Sequence, residues 1–289
     1  MGLEETFELQ TPTDHTAPSG AATGTGGSVL TFTLGVCWLC LFCDYLLLTI
    51  AVPIFPTLEE CRGSDFLTGV LFSAKAVMQI LCSPIVSCFI DAHTLELLLG
   101  GMLVEGSATL IFMLTDSYAL WLVGRATQGV ASAAIISSAF TFLQQVYTDD
   151  RARGKAMAMA TTGIISGVMT GAPIGGLLYG VWKPAPFVIA MGLCVTAALG
   201  VASLRGRRPA PARQGASVAL LEPRTPEPAG GAVHVAKRML ADRHIVVALG
   251  ALLVANAAIS CLEASVGNFL RDEHGMTTAQ VRTSPRPKS

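Results

Sequence analysis

The stretch Leu30 to Phe55, LTFTLGVCWLCLFCDYLLLTIAVPIF, is an apolar run long enough to cross a bilayer as a helix, and it carries one carboxylate, Asp44, near its middle. A chain holding such a run cannot bury it in a small soluble core. Further apolar runs follow at about Phe66 to Ile90, Leu95 to Thr115, Ala119 to Val146, Lys155 to Tyr179, Pro184 to Leu204 and Ile245 to Leu270. Seven spans of this kind define an all-α polytopic membrane protein, and a hydrophobic share of 52% against 13% charged residues agrees with that class. An acid at the centre of a span costs about 2.5 kcal/mol or more on insertion scales, so Asp44 is a candidate functional residue from the outset.

The segments between the spans set the organisation. Residues 1–28 are rich in Thr, Gly and Ala, lack Lys and Arg, and read as a disordered tail with no removable signal peptide. Residues 29–204 form a six-span unit, 205–244 a basic, Pro-rich linker, 245–270 a seventh span, and 271–289 a polar tail. The loops after the second, fourth and sixth spans hold Arg151, Arg153, Lys155, Arg205, Arg207, Arg208, Arg213, Arg224, Lys237, Arg238 and Arg243, whereas those after the other spans of the first unit hold only Arg62 and Lys183. The positive-inside rule therefore places the N-terminus and the basic loops in the cytoplasm. A net charge of -1 gives no reason to expect a nucleic-acid partner.

Several side chains within the spans need explaining. Lys75 lies nine steps into the second span, ~14 Å from its start, and Asp44 lies ~21 Å into an antiparallel neighbour. The depths sum to ~35 Å, close to one slightly tilted span, so the two charges can meet within a turn. Such a pair is either an architectural tie between helices or part of a transport path. Arg125, three residues before Gln128 and four before Gly129, either finds partners in the bundle interior or snorkels to the interface. Glu105 is deep in the third span with no partner evident, and Glu96 is interfacial. In the fifth span Gly163, Gly167, Gly171 and Gly175 recur every four residues, joined by Pro173 and Gly176. That gives a helix face without side chains and a site where the helix can kink. Cys37, Cys40 and Cys43 recur every three residues and read as apolar filler rather than as soft-metal ligands. No metal site, nucleophile triad or phosphate loop is visible, no cofactor is expected, and a soluble enzyme is excluded.

The Arg125-x-x-Gln128-Gly129 segment and the Gly171-Ala172-Pro173-x-Gly175-Gly176 segment resemble two motifs of the major facilitator superfamily, the second being its proton-antiporter motif. Four further segments are similar to the vesicular amine transporters, the branch that loads monoamines or acetylcholine into secretory vesicles. They are Asp44 to Pro56, Gly69 to Lys75, Val146 to Gly154, and Ala255-Asn256 with Leu262-Glu263. This resemblance implies the N-terminal six-helix half of a major facilitator fold plus one further transmembrane helix, in a chain truncated after the seventh span. It implies exchange of luminal protons for a cytosolic organic amine across a vesicle membrane, with a monoamine-like substrate favoured. It assigns substrate binding to Asp44, Glu263 and Asn256, and conformational coupling to Lys75, Asp44, Arg125 and Gln128. Gly167, Gly171, Pro173, Gly175 and Gly176 supply the antiporter motif.

The chain also departs from that pattern. The window after the second span reads Ser87-Cys-Phe-Ile-Asp91-Ala92-His93-Thr94, without the arginine and glycines that relatives use as a conformational latch. Tyr45 stands where the family usually has asparagine, the loop Thr57 to Asp65 is short, and Cys61 is expected to be unpaired. The alternative expectation is a non-transporting product that associates with a full-length relative.

Overall fold

The computed structural model describes residues 24–61 and 64–206, with isolated positions between 241 and 254. The linker, the seventh span with Asn256 and Glu263, and the polar tail fall outside the residues described as continuous structure. Five helices account for the rest: α1 (Gly24–Ile50), α2 (Asp65–Leu114), α3 (Tyr118–Val146), α4 (Asp150–Tyr179) and α5 (Ala185–Gly206). All five are long and apolar enough to cross a membrane.

Helix ends follow local chemistry. α1 begins at Gly24, inside the stretch read as tail, and ends at Ile50, short of Phe55. Pro53 restricts the residue before it and has no N–H to donate, so the chain leaves the helix through turns and a 3-10 segment, Phe55–Thr57. Ser64 caps α2 by accepting from the Leu67 N–H at 3.4 Å. Asp149 caps α4 more tightly, accepting from Ala152 N–H at 2.8 Å, with Asp150 in the first turn where the helix dipole favours an acid. That cap starts α4 one full turn before Lys155, the expected boundary.

The second and third expected spans are one helical element, α2, broken only at His93, whose φ of -131° and ψ of 34° are not helical. Contacts with α3 show that the two arms reverse direction there. Along the first arm the numbering rises with α3: Leu67 O accepts from Tyr118 Oη at 3.1 Å, and Lys75 and Met78 lie against Gly129. Along the second arm it runs the other way: Phe112 lies against Gly124, Glu105 meets Gln128, and Thr94 meets Gln145. The eroded window Ser87 to Thr94 is therefore the site of a sharp reversal, and α2 supplies two crossings. Six crossings result among the described residues.

α1 and α4 pack in parallel along the glycine face. Gly163, Gly167, Gly171 and Gly175 face Trp38, Phe42, Leu46 and Ile50 in turn, so both helices advance by four residues per contact. A Cβ added at Gly163 or Gly167 would lie 2.7 Å from the carbonyl oxygen of Trp38 or Phe42, which leaves no room for any side chain. The close approach admits a cross-helix bond from Thr49 Oγ1 to Gly167 O at 3.1 Å, and Trp38 Nε1 donates to Thr162 Oγ1 at 3.0 Å. α4 continues as helix through Pro173.

Cys37, Cys40 and Cys43 are buried among apolar side chains, and among the described residues no cluster could hold a metal ion. Cys61 is buried and free. Glu96 pairs with Arg205 at 3.2 Å, tying α2 to the last turn of α5. At the opposite end, the Phe55 end, Lys183 pairs with Asp116 at 3.1 Å, and that bond raises the lysine's pKa. Large apolar side chains on the outside, among them Phe66, Ile80, Ile85, Met169 and Leu199, suit contact with lipid or protein rather than water.

Candidate functional site

The fold brings four ionisable side chains from four crossings into one buried centre: Asp44 of α1, Lys75 of the first arm of α2, Glu105 of its second arm and Arg125 of α3. Asp44, Glu105 and Arg125 are 0% exposed and Lys75 is 4% exposed. With all four ionised, two negative and two positive charges cancel, which is the condition under which such groups can share a low-dielectric interior.

Asp44 Oδ1 accepts from Lys75 Nζ at 3.0 Å and from the Ser132 hydroxyl, while Oδ2 has no hydrogen-bond partner. The Lys75 ammonium also lies 5.8 Å from the centre of the Tyr45 ring. Tyr45, which replaces the asparagine expected beside Asp44, thus offers an aromatic face to the cation that Asp44 binds.

A second network adjoins the first. Arg125 Nη1 donates to Gln128 Oε1 at 2.9 Å, and Gln128 Nε2 donates to Glu105 Oε1 at 3.0 Å. Arg125 Nη2 donates to Leu48 O at 3.3 Å, so the guanidinium ties α3 to α1. Its flat face stacks over Phe55 at 4.3 Å, with Phe72 and Phe112 near 6 Å at 5.7 and 5.8 Å. Arg125 is interior, and the aromatic rings separate it from the Phe55 end of the bundle.

The sequence shows Glu105 deep in its span but not its partner, and it does not single out Ser132. Glu105 gained no partner there because sequence gives depth along a helix but not azimuth between helices; its partner, Gln128, was already in hand. Ser132 stands four residues after Gln128 and seven after Arg125, on the same face of α3, and that spacing was the available signal. The antiporter-motif glycines lie apart from the charges, on the α1–α4 contact, and Gly176 is only loosely packed against Pro53 at 3.8 Å.

Among the described residues, six apolar crossings surround a buried, charge-balanced network. Residues 37–285 match the profile of the Major Facilitator Superfamily, and the chain belongs to that family. It is 32% identical over 243 residues to the probable vesicular acetylcholine transporter-B of Danio rerio, covering 80% of this chain and 46% of that one. Over 210 residues it is 32% identical to the chromaffin granule amine transporter of Homo sapiens, covering 70% of this chain and 37% of the other. The synaptic vesicular amine transporter of Mus musculus is 29% identical over 208 residues, 71% of this chain and 37% of its own. The chain thus spans less than half the length of these relatives. In fold it matches a crystal structure of a bacterial homolog of the human lysosomal transporter Spinster, in an inward-facing and unoccupied conformation. The TM-score is 0.64 at 18% identity, over 89% of this chain and 58% of that one.

Proposed function

We propose that this chain provides the cation-recognising half of a vesicular exchanger that moves an organic amine inward against protons. The observation that carries this reading is the environment of Asp44: a fully buried carboxylate holding an ammonium through one oxygen, with the other oxygen free and an aromatic ring beside the cation. Lys75 is chemically a primary ammonium on a tether, the same ligand class as a protonated amine. It keeps Asp44 paired while the site is empty and yields its place when substrate arrives, so that Asp44 never stands ionised and alone in the membrane. Arg125 and Gln128 hold α1, α2 and α3 around that exchange.

The basic loops put the N-terminus and the His93 end in the cytoplasm and the Phe55 end in the vesicle lumen. Asn256 and Glu263, seven apart in the sequence and outside the described residues, are the further substrate contacts in this reading. Facilitators bind substrate between two six-helix halves, so the other wall of the cavity comes from further sequence or from another polypeptide. The window Ser87 to Thr94, where α2 reverses without the arginine and glycines of the latch, favours a second reading, in which the chain associates with a full-length relative and does not transport alone.

Uptake of labelled monoamine or acetylcholine into acid-loaded vesicles tests the first reading. Native protein is expected to show proton-dependent uptake and Asp44→Asn none above background. Equal uptake by both would remove Asp44 from the mechanism. Uptake by neither, with restoration when a full-length relative is co-expressed, selects the second reading.

A further inference from the structure

Glu105 takes no part in the recognition scheme around Asp44, yet it is as deeply buried. Its Oε1 is held by Gln128 Nε2 at 3.0 Å, while Oε2 is enclosed and has no hydrogen-bond partner. The charged groups that act on it come from every neighbouring element: Asp44 from α1, Lys75 from the first arm of α2 and Arg125 from α3. The thiol of Cys194 on α5 also lies within electrostatic range. A carboxylate with a bare oxygen in hydrocarbon is the group most readily relieved by taking up a proton.

We propose that Glu105 is a proton-binding site whose occupancy competes with an organic cation at Asp44. The inference rests on the amine-exchange reading. The step is a simple protonation: an O–H bond forms at Oε2, no electrons are transferred, and the proton leaves to solvent when the bond breaks. Charge counting supplies the competition. With Glu105 ionised, the four-residue centre is neutral and accepts a substrate cation at the expense of one positive charge. With Glu105 protonated, the centre already carries that positive charge, and an incoming cation would bring it to two. Proton and cation therefore exclude one another, which is the requirement for exchange rather than co-transport.

The structure also offers the proton an approach. A cavity of about 300 Å³ opens at the Phe55 end, lined in part by Asp116, Trp182, Lys183 and Phe187, and floored by Phe112 and Trp121. Phe112 is seven residues, ~10 Å, beyond Glu105 on the same arm of α2, and Trp121 is one turn before Arg125 on α3. Phe112 and Trp121 pack at 5.1 Å between ring centres and form the barrier between cavity and carboxyl. Movement of that ring pair would connect Glu105 with the side from which protons come.

The test uses the purified full chain and Glu105→Gln, which keeps the size of the side chain and an acceptor for Gln128. Difference infrared spectra recorded during an acid titration, with no cation present, are expected to show a buried carboxylic acid band in the native protein that is missing in Glu105→Gln. In weakly buffered acidic medium, addition of acetylcholine or tyramine is expected to release a proton from the native protein and none from the variant, whose neutral side chain stands in for the protonated acid, so that its affinity for the cation is lower than that of native protein at neutral pH and less dependent on pH. Identical infrared bands, or equal proton release, would overturn the inference. If neither probe binds native protein while the infrared band is lost in the variant, the amine reading fails and the proton site stands. Should Glu105→Gln not fold, Glu105→Asp replaces it: a displaced band is expected, and an unmoved one assigns the proton elsewhere.

Discussion

Arg125→Leu is expected to destabilise the bundle by about 3–5 kcal/mol, the range seen when one partner of a buried charged pair is removed. The substitution leaves Asp44 and Glu105 facing Lys75 alone, takes a donor from Gln128 Oε1, and strips the Leu48 carbonyl of its cross-helix bond. Arg125→Lys should recover only part of the loss. A lysine keeps the charge but cannot place two donors in the fork that reaches Gln128 and Leu48 together, nor stack a flat face on Phe55. Adding Glu105→Gln to Arg125→Leu restores a net charge of zero at the centre, so the double variant should melt above the single one. Thermal unfolding in detergent, followed by tryptophan fluorescence, separates these outcomes. Melting of Arg125→Leu together with the native protein would mean that the guanidinium is not integral to the fold.

The second large effect is steric. At Gly171 a Cβ would collide with Thr49 Oγ1 and stand 2.6 Å from Leu46 O, against backbone that cannot rotate away. Gly171→Val therefore has to push α1 and α4 apart along their whole contact, because Gly163, Gly167 and Gly175 are equally close to α1. Overpacking of a tight interior costs about 1–3 kcal/mol where side chains can adjust, and backbone against backbone belongs at or above the top of that range. Separation of the helices also breaks the bond from Thr49 to Gly167 O. Gly154→Ala and Gly192→Ala are the matched controls, since nothing lies within 4 Å of a Cβ at either position. Both should express and melt like the native protein or slightly better, alanine being the stronger helix former. Loss of stability in the controls equal to that in Gly171→Val would show that glycine number, not this contact, matters.

What could be read from the sequence was whatever depends on one coordinate along a helix. Hydropathy located the crossings, and the four-residue glycine spacing marked a tight helix face. The resemblance pairs Asp44 with Lys75, their depths along antiparallel helices agree with it, and the two stand 3.0 Å apart. What escaped depends on rotation of one helix against another. Glu105 and Gln128 were both noticed, but nothing in their spacing says that the second arm of α2 turns Glu105 toward α3. Ser132 was hidden for the same reason, as a serine among alanines on a small-residue face. The reversal at His93 was hidden differently: hydropathy falls in the polar window from Asp91 to Glu96 whether the chain makes a loop or continues as helix on both sides of a single break. Asn256 and Glu263 depend on an arrangement beyond the residues described here.

In the proposed exchange, Lys75 occupies the place of a substrate ammonium at Asp44. Equilibrium binding of labelled acetylcholine or tyramine to purified native protein, Asp44→Asn and Lys75→Gln tests it most directly. If Lys75 is an internal competitor, its removal frees the carboxylate, and Lys75→Gln should bind the cation more tightly than the native protein, while Asp44→Asn should bind neither probe. Native-like affinity in Asp44→Asn, or no change in Lys75→Gln, would reduce the pair to an architectural tie and contradict the account.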